Sequence, residues 1–271
     1  MKTNRLWRTL LYAVVIGYAV LTLIPFLWSI YTSLKTTPDI DKLWVSFQDL
    51  TFENYTYIAT KFPFVTWFMN SVFISIVVTF GNLLFNTLAG YALARINFPG
   101  RNLLFYVVLA VMMVPAQVVM IPVYVMLAKW GWINTYWGFT VPFLTQSFGI
   151  FLMRQFFMAL PRELEEAATI DGLSRWGVFW RIALPLARPA LAAQTIFMFL
   201  GNWNSFMWPS LLASSDDMYT LPVGLNSFHW QYVAYWNQDL AGTMFMTIPM
   251  LIVFLIFQKW FIKGIATTGI K

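Results

Sequence analysis

The stretch LLYAVVIGYAVLTLIPFLWSIY, residues 10–31, carries no charged side chain from end to end. A helix needs roughly 20 mostly apolar residues to cross the hydrocarbon of a bilayer, so this run predicts a membrane span. Five further runs meet the same test, at residues 72–94, 103–127, 136–153, 189–212 and 242–257. Composition agrees: of 271 residues, 59% are hydrophobic and 10% charged, and the mean hydropathy is +0.66. A soluble domain carries about a quarter charged residues, so lipid must solvate much of this chain. The expected fold class is all-α integral membrane, with six transmembrane helices. Lys2, Arg5 and Arg8 precede the first run as in a secretory signal, but the apolar stretch is too long and no small-residue cleavage site follows. It reads as a retained helix.

Orientation follows from lysine and arginine, which short cytoplasmic loops retain. Six spans put both termini on one side. With that side cytoplasmic, the inside segments hold thirteen of the 17 basic residues against four acidic ones, a balance of +9. The outside segments hold four basic and seven acidic residues, a balance of −3, which completes the net charge of +6. The basic excess is thus topogenic, and nucleic acid need not be invoked as a partner. The absence of cysteine excludes disulfides and thiolate metal sites, and His229 is the only histidine. No metal site and no catalytic set of nucleophile, base and orienting residue can be assembled from this inventory. The chain reads as non-enzymatic.

The densest charge lies between the fourth and fifth runs, in residues 154–188, RQFFMALPRELEEAATIDGLSRWGVFWRIALPLAR. Pro161 suits a first helical position, and Glu163, Glu165 and Glu166 favour the positive end of a helix dipole. Gly172 is placed to end that helix, Ser174 to cap a second, and Pro185 to close it. Helices this short are marginal alone in water, so they must pack on something. Ala167 and Ala168 would let another backbone approach, and Glu166 and Asp171 offer charge for anchoring. The same hairpin could equally be a connector lying on its own membrane domain.

The spacing of Glu166, Ala167, Ala168, Gly172, Ile182, Leu184 and Pro185 resembles the EAA signature of permease subunits in binding-protein-dependent ABC importers. Asp171, Phe179 and Pro189 resemble the carbohydrate-uptake branch, in particular the smaller permease of maltose-type systems. The six runs, the long first outside loop and the ending GIATTGIK suit that family too. The resemblance implies the type I ABC importer transmembrane fold, in the cell inner membrane, with both termini cytoplasmic. It also implies that this loop is a coupling helix seated in a cleft of a separate ATPase, with Glu166, Ala167, Ala168, Asp171 and Gly172 as the docking residues. Residues 267–271 would add a second ATPase contact. The implied partners are a dimer of ATP-binding subunits, a second homologous permease and an extracytoplasmic sugar-binding protein. ATP and magnesium would be held by the ATPase, with no cofactor in this chain.

That division of labour agrees with the residues, because no glycine-rich loop ending in Gly-Lys-Ser or Gly-Lys-Thr is present. The runs contain uncharged polar residues, among them Asn82, Asn86, Gln146, Asn202 and Asn204, rather than the ionisable groups that ion-coupled carriers bury. A self-sufficient carrier or channel is the alternative function. Asn202 and Asn204, with Trp208 nearby, could line a sugar path or simply bond helix to helix. In the outer loop 213–241, Phe228, His229, Trp230, Tyr232, Tyr235 and Trp236 suit an interfacial aromatic belt or contact with a sugar or partner. By organisation, residues 1–70 comprise the first helix and outer loop. Residues 71–262 form the transmembrane core, which by family likeness the first span wraps from outside, and residues 263–271 form a tail.

Overall fold

A computed structural model describes the backbone of residues 5–231 and 235–268, and the side chains of residues 5–227 and 235–260. Among these residues the chain is helical without strands. In chain order the helices are α1 (Arg5–Ser33), α2 (Glu53–Lys61), α3 (Phe64–Arg95), α4 (Arg101–Met113), α5 (Ala116–Lys129), α6 (Tyr136–Thr140) and α7 (Ser147–Ala159). Then follow α8 (Glu163–Ile170), α9 (Arg175–Leu186), α10 (Arg188–Trp203), α11 (Met207–Leu212), α12 (Leu221–Gln231) and α13 (Trp236–Thr268). By length and hydropathy, α1, α3 and the Trp236–Trp260 part of α13 can each cross a membrane, and counting each of three bent helix pairs as one span gives up to six.

Three of the six runs are interrupted rather than single helices, and two of the interruptions sit at a proline. Run 103–127 is two helices, α4 and α5, meeting at 100°. Pro115 has no amide to donate and forces Val114 out of the helical region, to ψ 119°. Run 136–153 is interrupted by a 3-10 turn, Val141–Phe143, around Pro142, and regular helix resumes only at Ser147. Run 189–212 stops at Trp203 and resumes as α11 after residues 204–206.

A broken helix exposes backbone groups that lipid cannot satisfy. Here α3 supplies the partners. Asn82 Nδ2 donates to Phe143 O at 2.7 Å, and Asn86 Oδ1 accepts from Gln146 N at 3.1 Å and Thr145 Oγ1 at 2.8 Å. Asn86 Nδ2 donates to Asn82 Oδ1, and Gln194 Nε2 of α10 donates to Asn82 O, both at 2.9 Å. The buried amides of the second span therefore replace the hydrogen bonds that the fourth lacks.

The chain divides into two compact units. The first comprises residues 1–64 and 225–248. In it Asn54 Nδ2 donates to the carbonyls of Ser33 and Lys35, at 2.7 and 2.8 Å, and Asn237 Nδ2 donates to Lys35 O at 3.0 Å. The fully buried Lys35 side chain lies over the rings of Trp28 and Tyr31 and donates to Lys42 O. By contrast α1 is exposed along its whole apolar length.

The second unit comprises residues 65–224 and 249–271. One of its clusters joins Tyr91 and Ala94 of α3, Met153 and Phe157 of α7, Phe179 and Ala183 of α9, and Ala190 of α10. Lipid is as apolar as these side chains, so close packing rather than exclusion of water holds them. Small residues make the approach possible: a Cβ on Gly90 would lie 2.6 Å from Met153 Cβ and 2.8 Å from the Arg154 amide.

Candidate functional site

The loop folds as a helix, turn and second helix. The carbonyls at the end of α8 are satisfied by a Schellman closure, in which Leu173 N bonds Ala168 O and Gly172 N bonds Thr169 O, both at 3.0 Å. That closure needs a left-handed residue, and Gly172 has φ +87°. Ser174 caps α9 as the sequence predicts, its Oγ accepting from Gly177 N at 3.2 Å.

Two boundaries differ. The α8 helix starts at Glu163, two residues beyond Pro161. Pro185 does not close the second helix, which runs on to Leu186 before the bend at Ala187. Residues Phe179–Ala183 form a π-turn, and the missing amide of Pro185 falls where the register returns from π to α.

Glu166, Ala167, Asp171 and Gly172 stand exposed along one edge of this hairpin. Ala168 does not join them. It is 5% exposed and faces the interior, about 100° round the helix from Ala167. Beside the exposed edge lie two apolar side chains that sequence reasoning passed over, Ile170 at 87% and Trp176 at 64% exposure.

The inner edge is anchored by a residue read from sequence only as a dipole partner. Glu165 Oε1 lies 3.0 Å from Arg95 Nε, Tyr91 OH donates to Glu165 Oε2 at 3.3 Å, and Arg95 Nη2 donates to Leu160 O at 2.6 Å. The Arg95 and Glu165 side chains are 6% and 17% exposed. Tyr91 and Arg95 are four residues apart at the end of α3 and so share a face. The spacing alone made that shared face readable, but not the partner it meets. Tyr91 packs in turn on Phe157 and Phe179, with ring centroids 5.2 and 5.0 Å apart.

Elsewhere in the same unit, Asn202 and Trp208 line one cavity of about 480 Å³ with Ser71, Ser75, Phe143 and Gln146. Asn204 is not among its lining residues: its Nδ2 donates to Leu200 O at 3.0 Å and lies 3.2 Å from Met250 Sδ. Asn202 Nδ2 donates within its own helix, to Met198 O at 2.6 Å. Of the aromatics in residues 213–241, Tyr235 and Trp236 are exposed. Phe228, His229, Trp230 and Tyr232, and residues 267–271, lie outside the residues whose side chains are described.

Residues 86–267 match the family model of the binding-protein-dependent transport system inner membrane component. The chain belongs to this family. A match over that length includes the loop, the bent spans and most of the last helix. It sets aside the self-sufficient carrier, since transport in this family depends on a binding protein. Among relatives, the permease is 41% identical over 223 residues to the arabinooligosaccharides transport system permease protein AraQ of Halalkalibacterium halodurans, covering 82% of this chain and 80% of that one. It is 33% identical to the lactose transport system permease protein LacG of Rhizobium radiobacter, covering 93% of each. Its fold is shared with a chain in the crystal structure of a bacterial ABC transporter that imports the acidic polysaccharide alginate. There the TM-score is 0.80 at 24% identity, with 96% of this chain and 99% of that chain covered. The protein is thus a multi-pass inner-membrane permease subunit with the type I ABC importer fold.

Proposed function

We propose that this permease forms half of the translocation path of an ATP-driven oligosaccharide importer and is driven by a separate ATPase gripping the exposed edge of α8. Its two faces carry the reading. Glu166, Ala167, Ile170, Asp171 and Gly172 offer charge, small side chains and an exposed apolar anchor outward. On the opposite edge Glu165 ties the same helix to Arg95 of α3. A push on α8 therefore reaches α3 directly, and through the packing of Tyr91 on Phe157 and Phe179 it reaches α7 and α9. Coupling in this form needs a bistable packed element rather than a flexible tether, and the bent pairs provide the places where the spans can change angle.

In this account the loop and both termini are cytoplasmic, as the distribution of basic residues favours. ATP and magnesium are held by the ATPase dimer. A second, homologous permease completes the path, and an extracytoplasmic binding protein delivers the solute. The oligosaccharide class is supported by the names of the two relatives and by the cavity of Asn202, Gln146 and Trp208, where amides beside an aromatic face match sugar chemistry.

The test is co-purification from the native membrane, with ATP hydrolysis measured, for the unaltered chain and for Glu166→Lys. Loss of the ATPase from the variant with retention of the second permease supports the proposal. Equal recovery of the ATPase with unchanged hydrolysis rejects it.

A further inference from the structure

Helices α3, α9, α10 and α13 of the second unit enclose a cleft of about 480 Å³ that the import mechanism does not use. Its walls are Leu84 and Leu88 of α3, Phe179 of α9, Leu191 of α10 and Phe257 of α13, with Trp180 and Trp260 also lining it. Almost nothing polar faces it, so it does not suit a sugar. Arg188 also lines it, at the first residue of α10. The Arg188 side chain is exposed and makes no hydrogen bond or ion pair with another described residue. Arg181 and Lys259 are exposed as well, and Lys259 Nζ lies 4.2 Å from the Trp260 ring centroid.

The chain cannot neutralise these cations from the segments that carry them. No carboxylate occurs between Asp171 and Asp216, or after Asp239. An anion from outside the chain would supply the counter-charge that these segments lack. A bilayer offers one molecule with an apolar tail and a negative head, and basic pockets between membrane helices take such lipids. The tryptophans are of the kind that mark headgroup depth. At roughly 30 Å³ for each methylene, about the share of one water in the liquid, the cleft of about 480 Å³ accommodates on the order of sixteen methylenes.

We infer that this cleft binds one acyl chain of an anionic phospholipid, with the lipid phosphate held by Arg188. The site is independent of which solute the importer carries. Because Phe179, Trp180 and Leu184 form one wall, the lipid packs against the segment that follows the coupling helix, and its occupancy stiffens that segment.

The experiment is native mass spectrometry of the full importer, purified in detergent and supplied with phosphatidylglycerol or phosphatidylcholine. The unaltered complex is expected to retain phosphatidylglycerol preferentially. Removing one cation from a headgroup site weakens binding about fivefold, so Arg188→Gln should lower phosphatidylglycerol retention by about that factor and leave phosphatidylcholine unaffected. Leu84→Trp should fill the cleft and reduce retention of both lipids. Equal phosphatidylglycerol retention by the unaltered complex and by Arg188→Gln overturns the inference. So does photocrosslinking from position 84 that captures another polypeptide in place of lipid. Arg188→Gln alters an exposed side chain and decides the matter even where Leu84→Trp fails to assemble.

Discussion

Replacing Glu165 with glutamine tests whether the coupling helix is fastened to the second span by charge. The substitution keeps the shape of the side chain and removes one partner of an ion pair whose other member, Arg95, is 6% exposed. Breaking a fully buried pair costs about 3–5 kcal/mol, because a charge is stranded, whereas an exposed pair contributes about 0–1 kcal/mol. Glu165 is 17% exposed, and Arg95 keeps its bond to Leu160 O, so the loss should fall between these limits, at about 2 kcal/mol. Every 1.4 kcal/mol is tenfold in an equilibrium, which makes local opening of α8 roughly 30-fold more frequent.

The assay is hydrogen exchange read by mass spectrometry on peptides covering residues 163–173 in the assembled importer, with peptides from α10 as the internal standard. Exchange should accelerate by about that factor in α8 and remain unchanged in α10. ATP hydrolysis should persist while solute uptake falls, since the ATPase would still bind but would push on a loosened lever. Replacing both Arg95 and Glu165 with methionine should restore part of the protection, because no unpaired charge then remains. Exchange in the Glu165→Gln variant within twofold of the unaltered protein would refute the reasoning.

Three further outcomes follow from the same geometry. Gly172→Ala should cost about 1–2 kcal/mol, since a left-handed backbone penalises a Cβ while no atom lies within 4 Å to clash; a lowered thermal midpoint of the loop, followed by limited proteolysis, checks it. Ser174→Ala removes the cap on α9 and should cost about 1 kcal/mol, seen as faster exchange at the Gly177 amide with α8 unaffected. Asn86→Leu strands the Gln146 amide and the Thr145 hydroxyl. At the roughly 0.6–2 kcal/mol that interhelical hydrogen bonds contribute in membranes, it should lower the unfolding temperature followed by tryptophan fluorescence.

Much of the fold was legible because hydrophobic length is a strong and simple signal. The runs at 10–31, 72–94 and 242–257 correspond to helices that cross without a break, since nothing in them forces one; even Pro25 and Pro249 sit inside continuous helix. The bends were not legible in the same way. Pro115 breaks its run and Pro122, seven residues on, does not, so proline alone does not decide. The outcome depends on whether neighbours satisfy the freed groups, as Asn82 and Asn86 do for the fourth span.

At the site, the turn chemistry of Gly172 and Ser174 was readable because it is local. The inward turn of Ala168 depended on the phase of α8, which the starting residue sets. The pairing of Glu165 with Arg95 spans 70 positions in the chain, and no local rule connects them. Ile170 and Trp176 read as ordinary apolar residues until the fold leaves them outside.

The docking edge of α8 is the central claim, and the absence of cysteine from the natural chain allows it to be probed directly. Ala167→Cys, Ala168→Cys and Asp171→Cys, each introduced singly into the assembled importer, should be treated with a short thiol-to-amine crosslinker. Crosslinking to the ATPase from positions 167 and 171, with little or none from the buried position 168, is the predicted result. Equal crosslinking from all three positions, or none to the ATPase from any, would contradict the account.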